Sequence, residues 1–108
     1  MSIPQQGGGP VESRDDLVKF LADGSKSEDK WGIGTEHEKF SFNAETLAPL
    51  PYEGPAGIEA MLKGLTRFGW EPVLEQGKII GLLQDGASVS LEPGGQLELS
   101  GANLKTLH

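Results

Sequence analysis

An α+β fold, a mainly antiparallel sheet with two helices, follows from three features of the sequence. Two segments, "SRDDLVKFLADG" and "GIEAMLKGLTRFG", carry apolar residues at helical spacing. Residues 70–100 hold four short β-type runs separated by turn residues at 75–77, 85–86 and 93–95. The order helix, strand, helix, then consecutive strands is that of an α+β domain, not of alternating βαβ units.

The elements follow in chain order. Residues 1–12 are polar and rich in Gly and Pro, and read as a flexible tail. In the first helix Ser13 is suited to the N-cap, Asp15 and Asp16 to the first turn, and Gly24 to the stop. Leu17, Phe20 and Leu21 form its apolar stripe. "SKSEDK" is a solvated linker. Residues 31–42, "WGIGTEHEKFSF", read as one long strand. Its alternation places Glu36, Glu38, Phe40 and Phe42 on one face, and Thr35, His37, Lys39 and Ser41 on the other. "NAETLAPLPYEGP" is too broken by proline for a regular element. The second helix shows Ile58, Met61, Leu62 and Leu65 as a stripe and ends at Gly69. Strands are expected near 70–75, 78–84, 87–92 and 96–100. The last residues, "ANLKTLH", look like the opening of a further helix, so the chain is expected to stop inside a larger protein.

Composition narrows the function. The chain has 108 residues, 36% of them hydrophobic, enough for one domain with a modest core. A net charge of −7 argues against nucleic acid and against an anionic membrane surface, both of which need basic residues. The same charge is compatible with a cation. With no cysteine, disulfides and thiolate metal sites are excluded. The start "MSIPQQGGGP" has no apolar leader core, no run approaches a membrane span, and a cytoplasmic location is expected.

The chemistry lies in "SLEPGGQLELSG". If Pro93, Gly94 and Gly95 form a three-residue loop, with Pro93 in a type I turn and a left-handed Gly closing it, Glu92 sits opposite Gln96. Ser90 then faces Glu98, and Ser88 faces Ser100. These six share one face, while Val89, Leu91, Leu97 and Leu99 share the other and pack on the helices. A polar face on a hairpin commonly just meets water. Here it carries carboxylates with no basic residue from Ser88 to Ser100, and clustered like charges repel unless a cation lies between them. Oxygen donors of this kind suit Mg²⁺ or Mn²⁺. In "EHE", Glu36 and Glu38 project to one side about 7 Å apart, a spacing that suits two adjacent metal positions or one shared ion. A solvated edge strand is the alternative for that motif, and His37 points away. With two His, no Ser–His–Asp set can be assembled. A glycosidase pair would want aromatic sugar platforms that are not visible. "GIGTE" lacks the lysine of a phosphate loop.

"WGIGTEHEKFSF", "IIGL" and "SLEPGGQLELSGANLKTLH", preceded by "DLVKFLADGSK", resemble glutamate–cysteine ligase of the plant and proteobacterial group. The resemblance runs from about Asp16 to His108, and departs from the family at Ser41, where glycine is common, and at Asn103, where proline is. It implies a partial glutamine synthetase-like fold over residues 13–108, the N-terminal portion of a longer ligase domain. It implies ATP-dependent ligation of glutamate to cysteine through a γ-glutamyl phosphate, the first step of glutathione biosynthesis. The resemblance makes Glu36, Glu38, Glu92 and Glu98 the ligands of Mg²⁺ or Mn²⁺, and puts Gln96 near metal or substrate. No catalytic residue is assigned within the chain. Glutamate, cysteine and ATP are the expected small-molecule partners, and the remainder of the parent chain the expected protein partner. The basic residues that clamp phosphate would lie beyond His108, so the 108 residues alone are expected to be inactive, with sheet edges that could self-associate. A non-catalytic divalent-cation or interaction module reusing the fold is the alternative.

Overall fold

The computed structural model describes residues 9–107. Of the expected tail, residues 1–8 lie outside the described residues, and 9–12 are exposed with no regular structure.

Helix α1 is Arg14–Asp23. Its start is a reciprocal capping box: the Ser13 hydroxyl accepts from the Asp16 N–H at 3.2 Å, and the Asp16 carboxylate accepts from the Ser13 N–H at 2.7 Å. These bonds hold the Asp16 carboxyl below its ordinary pKa, the Ser13 side chain being the largest cause. Gly24 closes the helix in a right-handed conformation (φ −71°), so the stop does not use glycine's left-handed freedom. Leu17, Phe20 and Leu21 do form a stripe, but all three are exposed and α1 buries none of its residues. Amphipathic spacing says which face of a helix would be buried, not what is present to bury it.

The expected long strand is much shorter. Strand β1 is Glu36–Phe40, and the residues beyond it make isolated bridges, Ile33 to Leu104 and Phe42 to Pro49. The reason is the partner. The neighbouring strand spans only Gln96–Ser100, so a ladder longer than five residues has nothing to pair with.

Helix α2, Ile58–Leu65, continues through a single 3₁₀ turn at Thr66–Phe68 to a left-handed Gly69. Strands β2 (Glu71–Glu75), β3 (Lys78–Gln84), β4 (Ala87–Leu91) and β5 (Gln96–Ser100) follow. All five strands form one antiparallel sheet in the order β1-β5-β4-β3-β2, which confirms the α+β class and is consistent with a glutamine synthetase-like fold. Two-residue loops join β2 to β3 and β3 to β4, with Gln76–Gly77 and Asp85–Gly86 both at positive φ, as primed hairpin turns require.

The core is Ile58 and Leu62 of α2 against Ile79 and Leu82 of β3 and Val89 of β4, with Leu50, Tyr52, Leu65, Trp70, Leu91 and Leu97 half-buried around it. Ile79 and Leu82 are three apart, which strict alternation would put on opposite faces. A bulge reconciles them: Val73 pairs with Gly81 and Leu74 with Ile79, leaving Ile80 without a counterpart on β2. The Tyr52 hydroxyl donates to the Ile79 carbonyl at 2.9 Å and ties the irregular connection to the same strand.

Two expectations are corrected here. The apolar side of the β4–β5 hairpin packs on α2, not on both helices, and Leu99 at its end remains 37% exposed. Residues 101–107 are not the opening of a helix. Leu104 exchanges backbone hydrogen bonds with Ile33 at 2.7 and 2.9 Å, and the Lys105 ammonium donates to the Asp29 carbonyl at 2.6 Å. Gly32 permits this closeness, because a Cβ there would lie 1.6 Å from the Asn103 side-chain oxygen and 2.9 Å from the Leu104 carbonyl.

Candidate metal-binding face

The turn between β4 and β5 sets the site. Gly95 N–H donates to the Glu92 carbonyl at 3.2 Å, and Glu92 N–H to the Gln96 carbonyl at 2.8 Å, closing a three-residue loop. Gly94 lies at φ 78°, ψ 9°, the third position of a type II turn rather than the expected type I. The register is the expected one: Ser90 opposite Glu98 and Ser88 opposite Ser100.

Adding β1 extends these pairs into rows across the sheet. Glu38 stands opposite Glu98, which stands opposite Ser90, and Glu36 stands opposite Ser100, which stands opposite Ser88. Phe40 is opposite Gln96. The structure therefore brings Glu36, Glu38 and Glu98 onto one face, with Gln96 beside them and Glu92 at the mouth of the turn. His37 and Lys39 pair with Leu99 and Leu97 in the other set of rows, away from the carboxylates.

This face is not a plain solvated surface. Glu98 is 5% exposed and Ser90 1% exposed, while Glu36 and Glu38 are open to solvent. Like charges directly opposite on a sheet are destabilising, and burying one of them adds to the cost. Each of three carboxylates accepts from a neutral donor. Gln96 Nε2 donates to Glu38 Oε2 at 2.6 Å, Ser100 Oγ to Glu98 Oε1 at 2.7 Å, and Ser90 Oγ to Glu92 Oε1 at 2.9 Å. The donor role of Ser90 and Ser100 was missed by sequence reasoning. Its signal was the S-x-E spacing, which sets hydroxyl and carboxylate side by side on one face.

At one end of the face a cavity of about 700 Å³ opens beside Glu71, Ser88, Ser100, Gly101 and Asn103. It depends on where the 85–86 turn and the chain after β5 come together, which no local sequence pattern shows.

The donor set fits a hard divalent cation in chemistry: oxygen atoms only, on a buried-to-exposed gradient, oriented by neutral hydrogen bonds. Among the described residues, no group of three or more His, Cys, Asp or Glu is placed to hold an ion by itself.

Fold and face together define an α+β domain whose sheet carries α2 on one side and an oxygen-rich, carboxylate-bearing surface on the other. The chain belongs to glutamate-cysteine ligase family 2, which it matches over residues 32–108. It is 57% identical over 97 residues to the chloroplastic glutamate–cysteine ligase of Nicotiana tabacum and 56% identical to that of Brassica juncea, covering 89% of this chain and 18% of each relative. It is 50% identical over 97 residues to chloroplastic glutamate–cysteine ligase A of Oryza sativa subsp. japonica, 19% of whose length it covers. The chain thus spans under a fifth of the length of these relatives. Their names overturn the cytoplasmic expectation, because chloroplastic relatives point to a plastid.

Proposed function

We propose that this chain supplies the metal-holding sheet of a ligase that joins the γ-carboxylate of glutamate to the amine of cysteine at the expense of ATP, the first step of glutathione biosynthesis. Family membership supports the reaction class. The observation that supports the site is the row that sets Glu38 directly opposite a nearly buried Glu98, two carboxylates whose mutual repulsion a bound cation would relieve.

In the reaction proposed, a γ-carboxylate oxygen of glutamate attacks the γ-phosphorus of ATP and ADP leaves. The amine of cysteine then attacks the acyl carbon of the γ-glutamyl phosphate, forming the amide and releasing phosphate and a proton. Glu36, Glu38, Glu92 and Glu98 are the residues proposed to hold Mg²⁺ or Mn²⁺, which when bound offsets the repulsion between carboxylate and polyphosphate. The chain's own part is to hold these carboxylates at fixed register on a rigid sheet, so that little reorganisation is needed as charge shifts. Gln96 sits beside Glu38 near that centre. The 108 residues alone are proposed to be inactive, with the phosphate clamp supplied from elsewhere in the parent chain.

The test is product analysis by mass spectrometry with the full-length protein, ATP, Mg²⁺, glutamate and cysteine. γ-Glutamylcysteine, formed only when all four are present, is the expected result. Divalent-cation binding with no product under any combination would replace this reading with a non-catalytic cation module.

A further inference from the structure

The three neutral donors on the face form a pattern that charge alone does not require. Gln96 reaches across from β5 to the Glu38 carboxylate on β1, whereas Ser100 and Ser90 each turn to the carboxylate two residues away on their own side of the hairpin. A lysine or arginine at any of these places would orient the carboxylate equally well. It would also neutralise it and repel a divalent cation. Serine hydroxyls and a glutamine amide donate a proton while adding no charge. Geometry reinforces this. Glu38 and Glu98 are opposite each other, and the side chain that takes one oxygen of Glu38 belongs to the residue two positions from Glu98 on the same strand. The bond from Gln96 therefore fixes Glu38 relative to the strand that bears Glu98, not merely relative to its own backbone.

We propose that Gln96, Ser100 and Ser90 are positioning residues: they fix the carboxylates of Glu38, Glu98 and Glu92 for a divalent cation without neutralising them, and Gln96 does so across the β1–β5 boundary. This deepens the reading above and rests on it. Outer partners of this kind typically change metal affinity by about 10–100-fold when removed.

The experiment is Mn²⁺ binding to the full-length protein followed by electron paramagnetic resonance, with no nucleotide or substrate present. Gln96→Met keeps the length of the side chain and removes the donor; it should weaken Mn²⁺ binding about tenfold or more. Ser100→Ala should weaken it in the same direction, and Ser100→Thr, which keeps the hydroxyl, should restore it. That rescue separates positioning from bulk packing, and it remains informative if Gln96→Met does not fold. Wild-type affinity in both Gln96→Met and Ser100→Ala, beside clear binding by the wild type, would overturn this inference alone. No binding by the wild type would overturn the metal reading and this inference with it.

Discussion

Replacing Gly94 by alanine isolates the conformational device that sets the face. Gly94 lies at φ 78° with nothing within 4 Å of the position a Cβ would take, so the substitution meets no neighbour and its cost is that of the left-handed backbone alone. That cost is about 1–2 kcal/mol for an L-residue. For a domain near this size each 1 kcal/mol lowers the melting temperature by about 4–8 °C, so the expected fall is roughly 4–16 °C. Gly95 also sits at φ 78°, but a Cβ there would come 3.2 Å from Ile58 Cδ1, so Gly95→Ala adds a clash with the core to the same backbone cost. Asparagine tolerates the left-handed region better than alanine does. Thermal unfolding followed by circular dichroism should therefore rank stability as wild type, Gly94→Asn, Gly94→Ala, Gly95→Ala. Indistinguishable melting temperatures for wild type and Gly94→Ala would refute the turn geometry on which the register argument stands.

Other consequences are equally direct. Leu62 is fully buried against both strands of the core, so Leu62→Ala should cost about 2–5 kcal/mol in urea unfolding. Tyr52→Phe removes the hydrogen bond to the Ile79 carbonyl and should cost about 1 kcal/mol by the same measurement. The Asp16 carboxyl is held below its ordinary value of 3.8 by the Ser13 cap, so its support of α1 is complete above that value and lost as pH falls through the depressed one. Amide exchange in residues 14–18 should accelerate over that acidic window in the wild type, and Ser13→Ala should show less pH dependence there. Gly32→Ala should release the segment after β5, and Asn103→Ala should not rescue it, because the Leu104 carbonyl also stands in the way; exchange of the Ile33 and Leu104 amides reports on both.

The sheet and its polar face were legible because period-2 alternation and a Pro-Gly-Gly turn over-determine one hairpin. Once Ser90 is placed opposite Glu98, every neighbour follows. Helix existence was legible from Ser13, the stripe of α2 and Gly69. What the sequence could not show is what depends on partners. Leu17, Phe20 and Leu21 have the spacing of a buried stripe, but the described residues offer nothing for α1 to cover. The length of β1 was set by β5 and not by its own residues. The bulge at Ile80 is invisible in "KIIGLLQ", since two adjacent isoleucines fit either face. The burial of Glu98 and the donors aimed at its neighbours needed coordinates, because the alternation that identifies a polar face is the same whether water or a cation meets it.

The central claim is that the carboxylate face, and not the opposite face of β1, serves the ligase reaction. Cysteine-dependent ADP release by the full-length protein tests it with three substitutions, Glu38→Gln and Glu98→Gln on the polar face and His37→Gln, next to Glu38 in sequence, on the other. The account predicts that both glutamate variants lose turnover while His37→Gln retains it. Wild-type turnover in Glu38→Gln and Glu98→Gln would contradict it.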